Sequence, residues 1–305
     1  MTSSLSLGVD LGGTKMALAL VDENGQTIRE GRLLTQPEDG PQIIMTRLAE
    51  AIRGILADTT TPIKGVGIGV PGHVLNGVVL FNSNLGWRDV PLQAELEHLL
   101  EMPVHIENDV RALAAGEARW GHGKGLETLF YLAIGTGLGG AAIINGQLWA
   151  GSTGFSMEVG HLPWPGNKRR CGCDKIGCVE TLLSGLGLLQ GVRLHRVRYP
   201  DSVIADKEDL TTADILTAAS QDDPLALHVV NEARETLVGV AAWGVGMLNA
   251  EALVIGGGMA QAAHDFWWPD LEQDIRAQLL PGVSDFTLHT AALAQTAVGA
   301  ASLIV

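Results

Sequence analysis

Short apolar runs alternate along the chain with longer stretches in which apolar residues recur every three to four positions. The first pattern predicts buried strands and the second predicts helices. The predicted strands are Leu5–Asp10, Thr14–Val21, Thr27–Leu34, Lys64–Val70, Val104–Glu107, Leu129–Ile134, Ala141–Ile144, a strand after Gly146, Ala252–Ile255 and Phe286–His289. The predicted helices are Pro41–Leu56, Leu92–Leu100, Asn108–Trp120, Leu182–Leu194, Thr212–Ala219, Pro224–Leu248, Asp265–Leu280 and a short C-terminal helix. Helices interleaved with strands predict an α/β fold.

One unit of this pattern occurs twice. A strand, a glycine turn, a second strand, an Asn-Gly turn and a third strand begin at Leu5, and the same order begins again at Leu129. Helical segments and apolar strands follow each copy. Two α/β halves, each opened by a β-meander, describe the duplicated actin-like ATPase (ribonuclease H-like) fold, with two α/β domains around a central cleft. The predicted small domain covers 1–118 plus 290–305, and the large domain covers 119–289.

Glycine is the most unusual feature of the composition, with 39 of 305 residues against a typical share of roughly 7%. The glycines cluster beside apolar strands, at Gly12-Gly13, Gly135 to Gly140 and Gly256 to Gly258. Glycine lets a backbone turn sharply and approach a ligand closely. A tight strand-to-helix connection would also explain these positions.

All three cysteines lie in one short segment. His161, nine residues and then Cys171, Cys173 and Cys178 provide four ligands, the number that a tetrahedral structural zinc site requires. Three buried cysteines acting only as small hydrophobes would not cluster among Gly, Asp and Lys. An odd number disfavours disulfides, no Cys-x-x-Cys redox pair is present, and an iron–sulfur centre usually requires a fourth cysteine. Two acids, Glu158 and Glu180, flank this segment.

Composition and charge exclude several classes of protein. Hydrophobic residues make up 46% and charged residues 18%, values typical of a globular protein. The net charge of −14 disfavours nucleic acids and anionic membranes as partners, since both require a basic surface. The apolar stretch Leu237–Leu248 is too short to cross a bilayer, which takes about 20 residues. The N-terminus lacks the pattern of an export signal, so we expect a cytoplasmic protein.

Seven motifs in order resemble the ROK family of sugar kinases, and within it the glucokinase branch. They are Asp10-Leu-Gly-Gly-Thr-Lys15, Gly69-Val-Pro-Gly72, Asn84 to Pro91, Glu107-Asn-Asp109, Gly135 to Gly140, the cysteine segment and Gly256 to Gly258. The resemblance extends over essentially the whole chain. It implies ATP-dependent phosphorylation of the 6-hydroxyl of glucose, with ATP, Mg²⁺ and structural Zn²⁺, and it implies a homo-oligomer (dimer or tetramer).

The resemblance assigns the glycine turns to the nucleotide. Asp10 would face the phosphates and magnesium, although a turn-forming aspartate is the alternative. The residues implied in nucleotide binding are Asp10, Gly12, Gly13, Thr14, Lys15, Gly135, Thr136, Gly137, Gly256, Gly257 and Gly258. Free backbone N–H groups in such turns can bind phosphate oxygens. For Lys15 the alternative is a solvated lysine.

Asp109 matches the catalytic base of the family, which accepts the proton of the attacking hydroxyl. The alternative for Asp109 is an ordinary helix N-cap. The residues implied in sugar binding are Gly72, Asn84, Asn108, Asp109, Glu158, His161 and Glu180. His161 would use one ring nitrogen for zinc and the other for sugar, and the sequence leaves their assignment open.

The chain departs from the family pattern at two places. Ser156 and Met157 stand where relatives have an Ala-Gly type pair, and Val110-Arg111 stands where many have Ala-Asn. Arg111 is either a solvated helix residue or a charge partner for an acid. The functional alternatives are an N-acetylglucosamine or N-acetylmannosamine kinase and a sugar-responsive repressor, whose DNA binding the acidic charge disfavours.

Overall fold

The computed structural model describes residues 4–283 and 285–304. Its strands are β1 (Leu5–Leu11), β2 (Lys15–Val21), β3 (Thr27–Leu34), β4 (Ile63–Val70), β5 (His73–Leu75), β6 (Val78–Asn82), β7 (Trp87–Val90), β8 (Val104–Asn108), β9 (Thr128–Ile134), β10 (Leu138–Ile144), β11 (Gln147–Leu148), β12 (Ala252–Gly256) and β13 (Thr287–Thr290). Its α-helices are α1 (Gly40–Leu56), α2 (Leu92–Leu100), α3 (Asp109–Trp120), α4 (Gly185–His195), α5 (Thr212–Ala219), α6 (Pro224–Leu248), α7 (Gly258–Ala262), α8 (His264–Trp267), α9 (Leu271–Ala277) and α10 (Thr296–Ala301). Short 3₁₀ helices cover Pro37–Asp39, Val159–His161, Val179–Thr181 and Arg196–Arg198.

The described residues form two compact units. Unit 1 comprises residues 4–127, 142–156 and 292–304, and unit 2 comprises residues 128–141 and 157–291 within the described part. The domain bounds drawn from the sequence stay a prediction. Those bounds and the expectation of no export signal include residues 1–3, which lie outside the described residues.

The main sheet of unit 1 has the order β3-β2-β1-β4-β8. β2 is antiparallel to β1 and β3, whereas β4 and β8 continue parallel to β1. Helices α1 and α2 bury apolar side chains such as Ile44, Leu48 and Leu96 with this sheet. Gly67 allows the backbone of α10 to approach β4, because a Cβ atom there would overlap Ala300. The carboxyl ends of β1, β4 and β8 therefore form one edge of a rigid sheet.

A three-stranded sheet, β5-β6-β7, was not among the predicted elements. Its strands have only three to five residues, too few for a clear alternation of apolar and polar positions. The sequence does contain a hairpin signal here, Asn76-Gly77. Both residues adopt positive φ (50° and 78°) in the turn between β5 and β6. This sheet carries the segment that follows Gly72.

The second five-stranded sheet contains β9 and β12 of unit 2 and has the order β11-β10-β9-β12-β13. The residues of β11 and of the end of β10 are assigned to unit 1. β12 runs parallel to both β9 and β13. The core includes Phe130 and Leu132 of the sheet and Leu225, Leu237 and Val245 of α6. Among the described residues, no helix is long and apolar enough to cross a membrane.

Most predicted elements are confirmed, several to the residue, including β3, α2, α5 and α6. The single predicted helix Asp265–Leu280 is wrong, because the structure has α8 and α9 with a break between them. Pro269 cannot continue the backbone ladder of a helix, and Asp270 takes a left-handed conformation with φ 56°.

Candidate active site and metal centre

The first glycine turn joins β1 to β2 and lies against Asn84. The Gly12 N–H donates to the Lys15 carbonyl over 3.1 Å, and the Thr35 hydroxyl donates to the Gly12 carbonyl over 2.7 Å. A Cβ atom on Gly13 would lie 2.8 Å from the Cβ of Asn84, closer than two carbons can pack. Only glycine fits there, so the predicted phosphate turn and the predicted sugar residue Asn84 are neighbours.

Two acids stand at the carboxyl edge of the same sheet. Asp10 pairs in register with Gly69 of β4, which pairs with Glu107 of β8, and Asp109 lies two residues further on. Burial and, to a smaller extent, the charge of Asp109 raise the pKa of Asp10 to about 6, although the charge of Lys15 opposes this shift. Burial also raises the pKa of Asp109, although the Val110 N–H and Arg111 act in the opposite direction. The two carboxylates therefore share one poorly solvated place in unit 1.

Asn108 caps α3. Its side-chain oxygen accepts from the N–H groups of Val110 (3.0 Å) and Arg111 (3.2 Å), which is the geometry of an N-cap. Asp109 occupies the first helical position instead, so the N-cap interpretation of Asp109 is wrong. The Asn108 amide also donates to the Gly72 carbonyl over 3.1 Å, which joins two predicted sugar residues.

Asn82 is a residue that the sequence analysis missed. It is buried, its side-chain oxygen accepts from the N–H groups of Asn84 (2.9 Å) and Leu85 (3.0 Å), and its amide donates to the Pro71 carbonyl (2.7 Å). One side chain thus fixes Asn84 and the turn at Gly72, where φ is 98°. The available signal was an Asn that ends a strand two residues before another Asn, an arrangement typical of an Asx turn.

The structure shows whether Arg111 is solvated or paired with an acid. Its side chain is 2% exposed and pairs with Glu107 at 2.6 Å. The solvated interpretation is wrong, and the charge-partner interpretation is confirmed.

The second glycine turn and the third glycine run line one cavity of unit 2. The Gly135 carbonyl accepts from the Gly185 N–H (2.9 Å) and the Thr136 carbonyl from the Leu186 N–H (3.2 Å), so the start of α4 rests on this turn. A cavity of about 550 Å³ lies here. It is lined by Gly135, Thr136, Gly185, Leu186, Leu189, Leu210, Thr211, Thr212, Gly258, Met259 and Ala262. The apolar wall, which sequence analysis missed, suits a flat heterocycle.

Position 257 requires glycine because its φ is 96° and a Cβ atom there would overlap the backbone of Ile134. Gly256 ends β12, and Gly258 begins α7 at the cavity. This close approach of strand and turn brings the third glycine run beside the second.

His161, Cys171, Cys173 and Cys178 form one cluster. Their ligand atoms lie within 4.8 Å of one another. The Cys173 and Cys178 sulfurs are 3.6 Å apart, and the Cys171 sulfur is 3.7 Å from His161 Nδ1. Zn–S bonds of about 2.3 Å in a tetrahedron imply ligand separations of about 3.8 Å, so the cluster fits zinc. All three thiols are free, which disagrees with a disulfide, and Nδ1 is the ring nitrogen that faces the cluster.

Glu180 links the cysteine segment to the second glycine turn. Its Oε2 accepts from the Leu138 N–H over 3.0 Å, and its Oε1 lies 3.7 Å from the Cys171 sulfur. Glu158 directly precedes the 3₁₀ helix that carries His161, and its carbonyl accepts from the His161 N–H over 3.1 Å. The Glu180 carboxylate and the Glu158 backbone are therefore both hydrogen-bonded to the chain around the metal ligands.

Met157 has an unusual backbone for its type, with φ 57°. A left-handed conformation costs a residue with a side chain roughly 1–2 kcal/mol, and glycine avoids that cost. A glycine would fit this turn without strain, whereas this chain has a methionine, which packs against the core of unit 2.

The predicted site residues thus fall into two sets. Unit 1 carries Asp10, Gly12, Gly13, Thr14, Lys15, Gly72, Asn84, Asn108 and Asp109. Unit 2 carries Gly135, Thr136, Gly137, Glu158, His161, Cys171, Cys173, Cys178, Glu180 and Gly256 to Gly258. The two aspartates with raised pKa, Asp10 and Asp109, belong to the first set, and the cavity and metal cluster belong to the second.

Comparison with known proteins gives the family. The model of the ROK family matches residues 6–305, so the chain belongs to the ROK family. Among curated proteins it is 32% identical to the glucokinase of Halalkalibacterium halodurans (93% of this chain, 89% of that one) and 31% identical to the glucokinase of Thermotoga maritima (98% and 96%). An N-acetyl-D-glucosamine kinase of Yersinia pseudotuberculosis is 31% identical over 83% of this chain and 83% of its own length. A xylose repressor of Caldicellulosiruptor bescii is 31% identical over 82% of this chain and 65% of its own length.

Solved structures agree with this assignment. A ROK glucokinase from Streptomyces griseus in complex with glucose and AMPPNP has a TM-score of 0.79 at 29% identity, covering 98% of this chain and 99% of the other. A ROK family transcriptional regulator, a homologue of the E. coli MLC protein, has a TM-score of 0.86 at 27% identity, covering 99% and 77%. The predicted actin-like ATPase fold class is confirmed, and the similarities support a sugar kinase.

Proposed function

We propose that this protein is an ATP-dependent hexose kinase that phosphorylates the 6-hydroxyl of glucose. The observation that carries the proposal is Asp109, a carboxylate with a raised pKa beside Asn108 and close to the first glycine turn. A base whose pKa is raised toward neutral pH accepts a hydroxyl proton more effectively than an ordinary aspartate. The similarity to a glucokinase that binds glucose and AMPPNP, the imido analogue of ATP, supports the same substrates here.

In this proposal each set of residues has a separate task. Gly72, Asn84 and Asn108 hydrogen-bond sugar hydroxyls, while Asp109 accepts the proton of the attacking oxygen as the phosphoryl group is transferred. Glu158, His161 Nε2 and Glu180 bind the remaining hydroxyls. The four metal ligands hold a structural Zn²⁺ that leaves no open position for water, so the ion fixes this segment rather than activating a nucleophile.

The nucleotide would use the glycine turns. Gly135 to Gly137 and Gly256 to Gly258 bind phosphates and adenosine in the cavity of unit 2, and Gly12 to Lys15 bind the terminal phosphates. Asp10 would hold Mg²⁺, which supplies the positive charge that phosphoryl transfer requires. Three free thiols suit a reducing compartment, so we place the enzyme in the cytoplasm. We also propose a homo-oligomer, dimer or tetramer.

An assay of ADP release against glucose, mannose, fructose, N-acetylglucosamine and N-acetylmannosamine tests the substrate. We expect the highest kcat/KM with glucose. A higher kcat/KM with an N-acetyl sugar would instead support the second candidate, an N-acetylhexosamine kinase, which the Yersinia relative favours.

The repressors in the family supply a third outcome. A repressor would bind a specific DNA sequence and show no sugar-dependent ADP release. The net charge of −14 opposes DNA binding. Sequence-specific retardation of DNA by the purified protein, without kinase activity, would contradict the proposal.

A further inference from the structure

The guanidinium of Arg111 lies in the first turn of α3, two residues after Asp109, and is only 2% exposed. Arginine is almost never fully buried unless its N–H groups are paired. Its guanidinium has five N–H donors, and a buried donor without a partner is costly. The partners of these donors therefore show what Arg111 holds in place.

Arg111 donates to three separate segments of unit 1. Its Nε and Nη2 donate to Glu107 Oε1 over 2.8 and 2.6 Å. Its Nη1 donates to the Gly154 carbonyl over 2.5 Å, and its Nη2 donates to the Val74 carbonyl over 3.3 Å. One side chain thus joins the strand before Asp109, the strand after Gly72 and the segment 153–156.

The same three segments share further contacts. Glu107 Oε1 also accepts from the Asn108 N–H over 2.7 Å, so the ion pair extends to the residue that caps α3. His73 Nε2 lies 2.5 Å from the Thr153 carbonyl, and the His73 ring packs against the Phe155 ring at a tilt of 35° with centroids 3.5 Å apart. In sequence, segment 153–156 leads within two residues to Glu158. Every segment bound by Arg111 therefore adjoins a residue that we propose to contact sugar.

We infer that Arg111 is a positioning residue for the sugar. It holds Gly72, Asn108 and the segment before Glu158 in one arrangement by binding the Val74 and Gly154 carbonyls as well as Glu107. This inference rests on the proposed function, because its measurable effect is on sugar affinity. A purely structural role, in which Arg111 serves only to neutralise buried Glu107, is the competing explanation.

Two variants separate these explanations. Arg111→Met leaves Glu107 buried without its cation, which destabilises the fold in either case. The double variant Glu107→Gln/Arg111→Met removes both charges, so its stability should recover, and Gln still offers an oxygen to the Asn108 N–H. If Arg111 positions the sugar residues, the double variant still lacks the bonds to Val74 and Gly154, and its sugar KM stays raised by about ten-fold.

The nucleotide KM provides the internal reference and is expected to stay unchanged in both variants. Arg119→Met is a matched control on the same helix, because Arg119 also donates to two carbonyls, those of Ser302 and Ile304, away from the sugar residues. It is expected to lower stability without changing the sugar KM. Arg111→Lys keeps a cation for Glu107 but cannot bind both carbonyls, so its sugar KM should rise in the same way. It provides the test if the double variant fails to fold.

The outcomes are distinct. A double variant with recovered stability and a wild-type sugar KM would overturn the inference while leaving the kinase activity intact. A wild-type sugar KM in Arg111→Lys would do the same. If the wild-type protein phosphorylates no sugar, the proposed function fails, and the inference fails with it.

Discussion

The two five-stranded sheets have the same order but different chemistry at their strand ends. Numbered within each copy, the strands lie in the order third, second, first, fourth, fifth. This order is β3-β2-β1-β4-β8 in one sheet and β11-β10-β9-β12-β13 in the other. In unit 1 the first strand contains Asp10 next to its last residue, and the fifth leads into Asp109. In unit 2 the first strand leads into Gly135 to Gly137, and the fourth ends at Gly256. A glycine turn therefore follows the first strand in both copies, whereas these carboxylates stand at strand ends only in unit 1.

The difference shows which residues a duplicated fold leaves free to change. Pairing in the sheet requires apolar side chains and hydrogen-bonded backbone, and both copies keep these. The side chains at the strand ends are less constrained by the ladder, so carboxylates occur there in unit 1 (Asp10 and Asp109), whereas the ends of β9 and β12 in unit 2 lead into glycines. Variants in each unit test whether unit 1 carries the acid–base chemistry and unit 2 carries the metal and nucleotide sites.

The largest effect is expected for Asp109→Asn. Without the base, kcat for sugar phosphorylation should fall by roughly 10²–10⁴-fold, the size typical of general base catalysis. Sugar binding measured by calorimetry should be retained, since the amide can still hydrogen-bond a hydroxyl. Asp201→Asn, at an exposed aspartate, is the control and should match the wild type. Turnover near the wild-type rate in Asp109→Asn would remove Asp109 from this role.

Asp10→Asn should stabilise the protein at neutral pH. At pH 7 the Asp10 carboxylate is ionised, and burial that raises its pKa from 3.8 to about 6 costs on the order of 2–3 kcal/mol of folding free energy. Because its pKa is raised, the Asp10 carboxyl group binds its proton more tightly in the folded state than in the unfolded state. The cost is therefore absent below about pH 4 and complete above about pH 6.

Urea unfolding of both proteins at pH 5 and pH 7.5, without nucleotide or Mg²⁺, measures this effect. The free energy of unfolding of Asp10→Asn should exceed that of the wild type by more at pH 7.5 than at pH 5. An equal difference at both pH values would show that Asp10 titrates as an ordinary aspartate.

Cys171→Ser tests the metal cluster of unit 2. Losing one of four ligands should release the ion, loosen the segment that holds Glu158 and His161, and raise the sugar KM by about ten-fold. The nucleotide KM should change less. Asp174→Asn is the matched control within the loop, because Asp174 is exposed with φ 68°, a conformation that Asn also tolerates. Active wild-type protein that contains no zinc by elemental analysis would contradict the assignment.

Leu189→Ala is expected to have the smallest effect. Leu189 lines the cavity of unit 2, so losing its side chain should raise the nucleotide KM by about five-fold and leave the sugar KM unchanged. Leu194→Ala on the same helix, at a leucine that is 59% exposed, is the control. A change in the sugar KM of Leu189→Ala would show that this cavity does not serve the nucleotide.

Sequence reasoning located most elements and the candidate residues, but some features needed the structure. Asn82 carries no charge, and the Asx-turn pattern around it does not reveal its partner at Pro71; its three hydrogen bonds show that it holds Asn84 and the Gly72 turn. The cavity wall formed by Leu186, Leu189 and Leu210 looks like ordinary core in the sequence. The broken helix at Pro269 could have been predicted, since proline is a known interruption.

The amino-acid sequence by itself determined the duplicated α/β plan, the glycine turns and the four metal ligands. Those features depend on local spacing: apolar periodicity, backbone freedom at glycine, and ligand types close together in the chain. The tertiary structure decided which residue caps α3, which imidazole nitrogen faces the cysteines, and whether Arg111 is solvated or buried. The cap is a choice between two neighbouring residues, which only the folded backbone makes. The other two depend on groups further apart in the chain, His161 with Cys171 and Arg111 with Gly154. Burial and long-range hydrogen bonds arise only when the chain folds, so local patterns do not record them.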